Sequence, residues 1–95
     1  MPLADAAQLR AEIALLDRAR RALRKGESRA ALQLLAQHER RFAPAALAPE
    51  ADALRIEALL QHGERGSAEQ RARDFFSAYA AHPLSERIHR LLAQE

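Results

Sequence analysis

The chain is 95 residues long with a formal charge of +2; it carries 14 Arg, one Lys and 13 acidic side chains, 23 Ala and 15 Leu, and no Cys, Val, Thr, Asn or Trp. That length holds one small domain, read as residues 1–95, with a modest core. The dearth of β-branched residues leaves almost nothing to build a sheet from, and the lack of cysteine excludes disulfides and thiolate metal sites.

All-α is therefore the expected fold class. The preference for Arg over Lys and for Ala is also what a GC-rich genome produces. No apolar run approaches the ~20 residues of a membrane span. The opening MPLADAAQLR has neither a basic segment nor a continuous apolar one, so no export signal is read in it and the compartment stays open.

Asp5 with Gln8 three residues on has capping-box spacing, and Gly26 suits the left-handed position that closes a helix; together they predict a first helix from about Ala6 to Lys25. Leu9, Ile13, Leu16 and Leu23 make one apolar stripe and Leu15, Ala19 and Ala22 an adjacent one. Two stripes require two packing partners and leave Arg10, Asp17, Arg18, Arg21 and Arg24 for solvent.

Ser28 is the predicted cap of a second helix carrying Ala31, Leu34, Leu35, His38 and Phe42 until Pro44 stops it. Pro49 suits the first turn of a third helix, with Glu50 and Asp52 favourable at its positive end. That helix carries Leu54, Ile56, Ala58, Leu59 and Leu60 up to Gly63. Ser67 and Gln70 repeat the capping-box spacing and predict a fourth helix with Ala68, Ala72, Phe75, Phe76 and Tyr79, ended by Pro83. Ser85 opens a fifth, with Ile88, Leu91 and Leu92 on one side and Glu86, Arg87, Arg90 and Gln94 on the other. Every connection is short, which predicts antiparallel packing of successive helices.

Residues 16–47 laid over 53–84 pair Gly26 with Gly63, Ala31 with Ala68, Leu35 with Ala72, His38 with Phe75, Phe42 with Tyr79 and Leu47 with Leu84. On these residues the chain resembles the tetratricopeptide repeat, in a divergent bacterial form, whose pattern places a small residue in the first helix, Gly at the turn, Ala early in the second helix and Pro after it. Ala19, Gly26, Ala31 and Pro44 take those roles in the first unit, and Gly63, Ala68 and Pro83 in the second. Helix axes ~8–10 Å apart leave room only for a small side chain at the crossing, which is the physical reason for the alanines.

The period of 37 departs from the family's usual ~34, Trp is missing, and Ile56 stands where the small first-helix residue belongs. The long linkers FAPAALAPE and YAAHPLSE are similar to those of tetratricopeptide domains in bacterial envelope proteins, including outer-membrane-assembly lipoproteins and Tol-Pal-associated proteins, and to short helical domains of bacterial regulatory proteins. The resemblance implies two hairpin units and a capping fifth helix, since each unit needs a neighbour to cover its apolar side.

It further implies a groove lined by the first, third and fifth helices that binds a peptide or partner protein. The positions so nominated are Ile13, Leu16, Arg20 and Leu23, then Ala53, Glu57 and Leu60, then Arg87 and Arg90. Three arginines on one groove would suit an acidic peptide or chain-terminal carboxylate, because guanidinium offers a bidentate fork. With no Asn, the family's carboxylate-clamp pattern is missing. Ordinary solvated helix positions are the plain alternative for each of these residues.

Segment 18–29, RARRALRKGESR, holds six basic residues and one acid and raises nucleic acid as a partner. Against it, the charges spread around the helix and the aromatic residues fall on apolar stripes, so no stacking platform forms. His38, His62, His82 and His89 make no metal-ligand pattern; His38, on an apolar stripe, is expected to be half-buried with one hydrogen bond. Phe76 is the aromatic expected nearest an interface.

Ser28, Ser67 and Ser85 are accounted for as caps. The acids pair with arginine four residues on, as Asp17 with Arg21 and Glu69 with Arg73. No cofactor, metal or catalytic set emerges, and the expectation is a binding module and not an enzyme. A self-associating structural domain, a homodimer, is the rival, motivated by the two apolar stripes of the first helix.

Overall fold

The computed structural model describes residues 2–94, with side chains from Asp5 onward. Five helices follow one another, α1 (Pro2–Arg24), α2 (Ser28–Arg41), α3 (Ala48–Gln61), α4 (Arg65–Ala78) and α5 (Leu84–Ala93), and there is no strand among the described residues. The fold is all-α: α1 with α2 and α3 with α4 form antiparallel hairpins, and α5 returns alongside α3.

The two hairpins close through the same hydrogen bonds, 37 residues apart. Gly26 (φ 77°) and Gly63 (φ 84°) adopt the left-handed conformation that glycine alone enters without strain. Around them Gly26 N–H donates to Leu23 and Glu27 N–H to Ala22, as Gly63 N–H does to Leu60 and Glu64 N–H to Leu59. These pairs are the Schellman closure, which satisfies carbonyls that a helix end leaves free. Glu27 and Glu64 then accept from Ala31 and Ala68, so the second helix starts directly from the turn.

That geometry overturns the predicted serine caps. The N-caps are Glu27, Glu64 and Pro83, none with a side-chain cap bond: at the first two the glycine turn has already aimed the backbone into the next helix, and proline has no side-chain acceptor. Ser28 Oγ instead shares a 2.9 Å hydrogen bond with His62 Nδ1, and Ser85 Oγ donates to the Tyr79 carbonyl at 3.4 Å. At the other end, α1 starts at Pro2 and runs through Asp5, whose carboxylate lies in the first turn, where the helix dipole favours it, and is not the cap. Helix α4 stops at Ala78, short of the predicted Pro83.

Two core clusters result, and α3 contributes to both. Leu16, Ala19, Ala22, Leu23, Ala31 and Leu35 pack with Ala51, Leu54 and Ala58; Ala68, Ala72, Phe75 and Ile88 pack with Ala53 and Ile56. The crossing alanines, Ala31 and Ala68, have no exposed surface. Ile56, too large for its place in the repeat pattern, faces a compensating substitution. Ala19 and Leu35 share one cluster and their equivalents Ile56 and Ala72 share the other, so large and small exchange places and the filled volume is roughly kept.

Helix α3 packs against all four others, whereas the backbone of α1 stands apart from that of α5, and the backbone of α2 from that of α4. A helix with neighbours on both sides needs apolar positions on more than one face, which Leu54, Ile56, Ala58, Leu59 and Leu60 supply, while Glu50, Asp52, Arg55 and Glu57 fall between them. The two pairs of flanking helices therefore stand as walls on either side of α3 and leave a depression over it on each face.

Helix α1 is longer than α3, 23 residues to 14, so its N-terminal part overhangs. Leu9 and Ile13, expected to be packed, are 40% and 41% exposed there.

Candidate functional site

Between the walls α1 and α5 lies a cleft of about 340 Å³. Its apolar floor is Leu23, Ala53, Leu54 and Leu84, and its rim carries Arg20, Arg24 and Arg87 with Glu50 and Glu57. The register is fixed by Gln61, whose side-chain amide donates to the Leu23 carbonyl at 3.0 Å and ties the C-terminal end of α3 to that of α1. Parallel α1 and α3 then turn Arg20 and Leu23 of the one and Ala53 and Glu57 of the other toward the same cleft.

Of the positions nominated from sequence, the cleft gathers Arg20, Leu23, Ala53, Glu57 and Arg87. Leu16 is 1% exposed and belongs to the core, because the first cluster closes over it. Ile13 stands on the exposed overhang, Leu60 lines a neighbouring depression with Leu91 and Arg65 that meets the cleft at Glu57, and Arg90 lies outside the cleft, 3.9 Å from Glu86 on its own helix. The sequence pattern leaves Arg24 to solvent; it lies one turn beyond Arg20 on the same face, and that spacing is the signal that places it on the rim.

The rim is lightly held. Arg20 NH1 donates to Asp17 Oδ1 at 2.8 Å and Arg87 NH2 to Glu57 Oε1 at 2.9 Å, with all four side chains partly exposed. Exposed pairs of this kind contribute about 0–1 kcal/mol, so a ligand carboxylate can replace the resident one at little cost. Asp17 pairs with Arg20 and not with the predicted Arg21, and Glu69 accepts from Arg65 and not from Arg73.

Behind the cleft, at the start of α3, a polar centre fixes the linker. Glu12 and His38 are 3% and 4% exposed, and His38 Nε2 donates to Glu12 Oε2 at 2.8 Å. The same carboxylate accepts Leu47 N–H at 2.8 Å and Ala46 N–H at 3.2 Å. His38 was expected to be half-buried; the carboxylate that satisfies it allows it to go fully inside. Sequence reading missed Glu12, which sits on α1 between Ala11 and Ile13 and has no motif around it.

On the opposite face of α3, between the walls α2 and α4, a pocket of about 260 Å³ holds four charged groups, Glu39, Asp52, Arg55 and Arg71. Burial raises the Asp52 carboxyl above its ordinary 3.8, against the pull of Arg71 and Arg55, and burial likewise lowers the Arg55 guanidinium. Asp52 was expected to be favoured by the positive end of α3, but the helix starts at Ala48 and only Glu50 falls in its first turn, so burial decides for Asp52.

A raised carboxyl favours the native state fully below pH 3.8 and loses that contribution as pH rises through the raised value. Asp52→Asn should accordingly gain stability relative to the parent on going from acid to neutral pH. Urea unfolding at about pH 3.5 and about pH 7 checks this; a gap that moves the other way would contradict it.

Phe76 is partly buried with its ring stacked on His89 at 4.3 Å, and Phe75 packs against Tyr79 and His82. Among the described residues no group of three His, Asp or Glu side chains is arranged to hold a metal, and no helix is long and apolar enough to cross a membrane. Comparison with family models, with curated proteins and with solved structures returns no match.

Proposed function

We propose that this is a protein-interaction domain of tetratricopeptide-like type, which holds a peptide segment of a partner in the cleft between α1 and α5. The observation that carries this is the cleft's composition, an apolar floor rimmed by three arginines, two of them in weak, exchangeable ion pairs. Apolar concavities with a few convergent polar groups are the usual form of a binding site. Arg20 and Arg87 sit in partly exposed pairs with Asp17 and Glu57 and Arg24 stands beside them, so the guanidinium forks favour the carboxylate of an acidic segment with an apolar side chain for the floor. The repeat resemblance is supported by the identical turn hydrogen bonds at Gly26 and Gly63.

A second class, self-association, draws on Leu9 and Ile13 at 40% and 41% exposure on the α1 overhang. Sedimentation separates the two: a homodimer gains mass with concentration, whereas a module for another protein does not need to.

The domain and its Arg20→Glu, Arg87→Glu variant should be compared as affinity baits in lysate of the source organism. The parent is expected to retain at least one protein that the variant loses, with wild-type circular dichroism in both, since exposed ion pairs contribute little to folding. Identical retention by the two would sink the cleft as the binding site.

A further inference from the structure

We propose that the pocket between α2 and α4 is a second binding site, which takes a carboxylate attached to a compact apolar group and anchors it on Arg71 and Arg55. It lies on the face of α3 opposite the cleft, and its occupant is independent of the partner bound there.

The two guanidinium groups at this site are under-used. Arg71 Nε is buried and has no hydrogen-bond partner. Arg55 NH2 and Arg71 NH2 reach one carboxylate, that of Glu39, at 3.3 and 3.8 Å. Charge-assisted hydrogen bonds run at about 2.7–2.9 Å, so these are loose electrostatic contacts, and once Glu39 moves aside the guanidinium donors are available to another acceptor. Asp52 does not fill that need: it attracts both arginines through space, yet lies beyond ion-pair distance of either, and Glu39 is the carboxylate they reach.

Glu39 is the displaceable resident. Its side chain is 65% exposed, against 20% for Arg55 and 30% for Arg71, so it can swing into water while both arginines stay in place. The rest of the pocket defines the body of the ligand. Leu35, Phe42, Pro44, Ala48 and Ala51 form an apolar wall, and about 260 Å³ is the room for one side chain, below the range for drug-sized molecules.

A further depression of about 350 Å³ shares Arg55 and Arg71 and continues past Leu32 and Leu59. The carboxylate is therefore bound at a waist between two hollows. That shape suits the end of a peptide as well as a small free acid, and the chemistry recognised is the same in both.

The test is an amide chemical-shift titration of the whole domain with N-acetyl-leucine, N-acetyl-leucinamide and hexanoate. N-acetyl-leucine should saturate, with shifts clustered on α2, α3 and α4 around Glu39, Arg55 and Arg71, and the amide lacking the carboxylate should not. Arg71→Gln should weaken binding at least about tenfold, the loss of a charge-assisted contact. Glu39→Gln should tighten it several-fold by removing the competitor, a gain that a purely structural role for the cluster does not produce. Should Arg71→Gln fail to fold, Arg55→Lys keeps the charge, loses the fork, and must still weaken binding.

Hexanoate binding as well as N-acetyl-leucine would identify a free acid as the occupant; hexanoate failing would identify a chain end. No saturable shift with either acid, equal binding of the amide, or insensitivity to both Arg71→Gln and Glu39→Gln would overturn the site. Shifts on α1 and α5 alone would assign the carboxylate to the cleft and equally overturn this one.

Discussion

Truncation of Phe75 to alanine should lower the unfolding free energy by about 3–5 kcal/mol, the range for removing a buried aromatic ring. Phe75 is 1% exposed and lies in the core cluster that joins α3, α4 and α5. Its ring also packs against Phe76, Tyr79 and His82, with centroids 6.2, 5.1 and 5.9 Å away, so the cavity would take edge and face contacts from three neighbours. Total stabilities of small domains lie near 5–15 kcal/mol, so the loss is a large share of the whole. Thermal unfolding should fall by more than about 12 °C, from the usual scaling for domains of this size. A fall of only a few degrees would mean that the second hairpin and α5 are held by something other than this cluster.

Glu12→Ala should be comparably damaging, by about 3–5 kcal/mol, for a different reason. Removing one member of a buried, hydrogen-bonded pair strands the other, and here the carboxylate serves three donors: His38 Nε2, Leu47 N–H and Ala46 N–H. Loss of the two backbone bonds should also free the linker that sets the start of α3, visible as faster amide exchange at Ala46 and Leu47. Glu12→Gln keeps acceptor oxygen and should fall between the parent and Glu12→Ala. The double change Glu12→Leu, His38→Phe puts at position 38 the residue that its repeat equivalent, Phe75, already supplies. It should recover part of the loss and no more, because the linker amides still lack an acceptor. Urea unfolding of the four proteins measures the series; full recovery in the double variant would show that the linker bonds contribute nothing.

The contrast between these two sites explains what could be read from the residues alone. The hairpins were legible because their signals are local: glycine at the turn, alanine at the crossing, an apolar stripe at helical spacing. Phe75 was legible as core for the same reason. Glu12 was not, because an acid flanked by Ala11 and Ile13 reads as solvated until His38, 26 residues away, is placed beside it.

The serine caps failed on a local rule overtaken by another local rule, since the glycine turn had already delivered the backbone of Glu27 and Glu64 to the next helix. The cleft was half legible. Arg20, Leu23, Ala53, Glu57 and Arg87 follow from the 37-residue register of α1 and α3 and from the return of α5, whereas Leu16 went to the core because the stripe it shares with Leu9 and Ile13 turns inward toward Leu23. The pair Arg55 and Arg71 could not be read at all. Their meeting at Glu39 draws on three helices, and no spacing along one helix encodes it.

The most direct measurement for the cleft is amide hydrogen exchange along the domain, alone and saturated with a protein retained by the wild-type bait but not by the Arg20→Glu, Arg87→Glu variant. Binding between α1 and α5 should slow exchange on the inner faces of those helices and along the exposed side of α3, around Leu23, Ala53, Glu57 and Arg87, and leave α2 and α4 unchanged. Slowing confined to α2 and α4, or to the overhang at Leu9 and Ile13 together with a doubling of mass, would contradict the cleft as the partner's site.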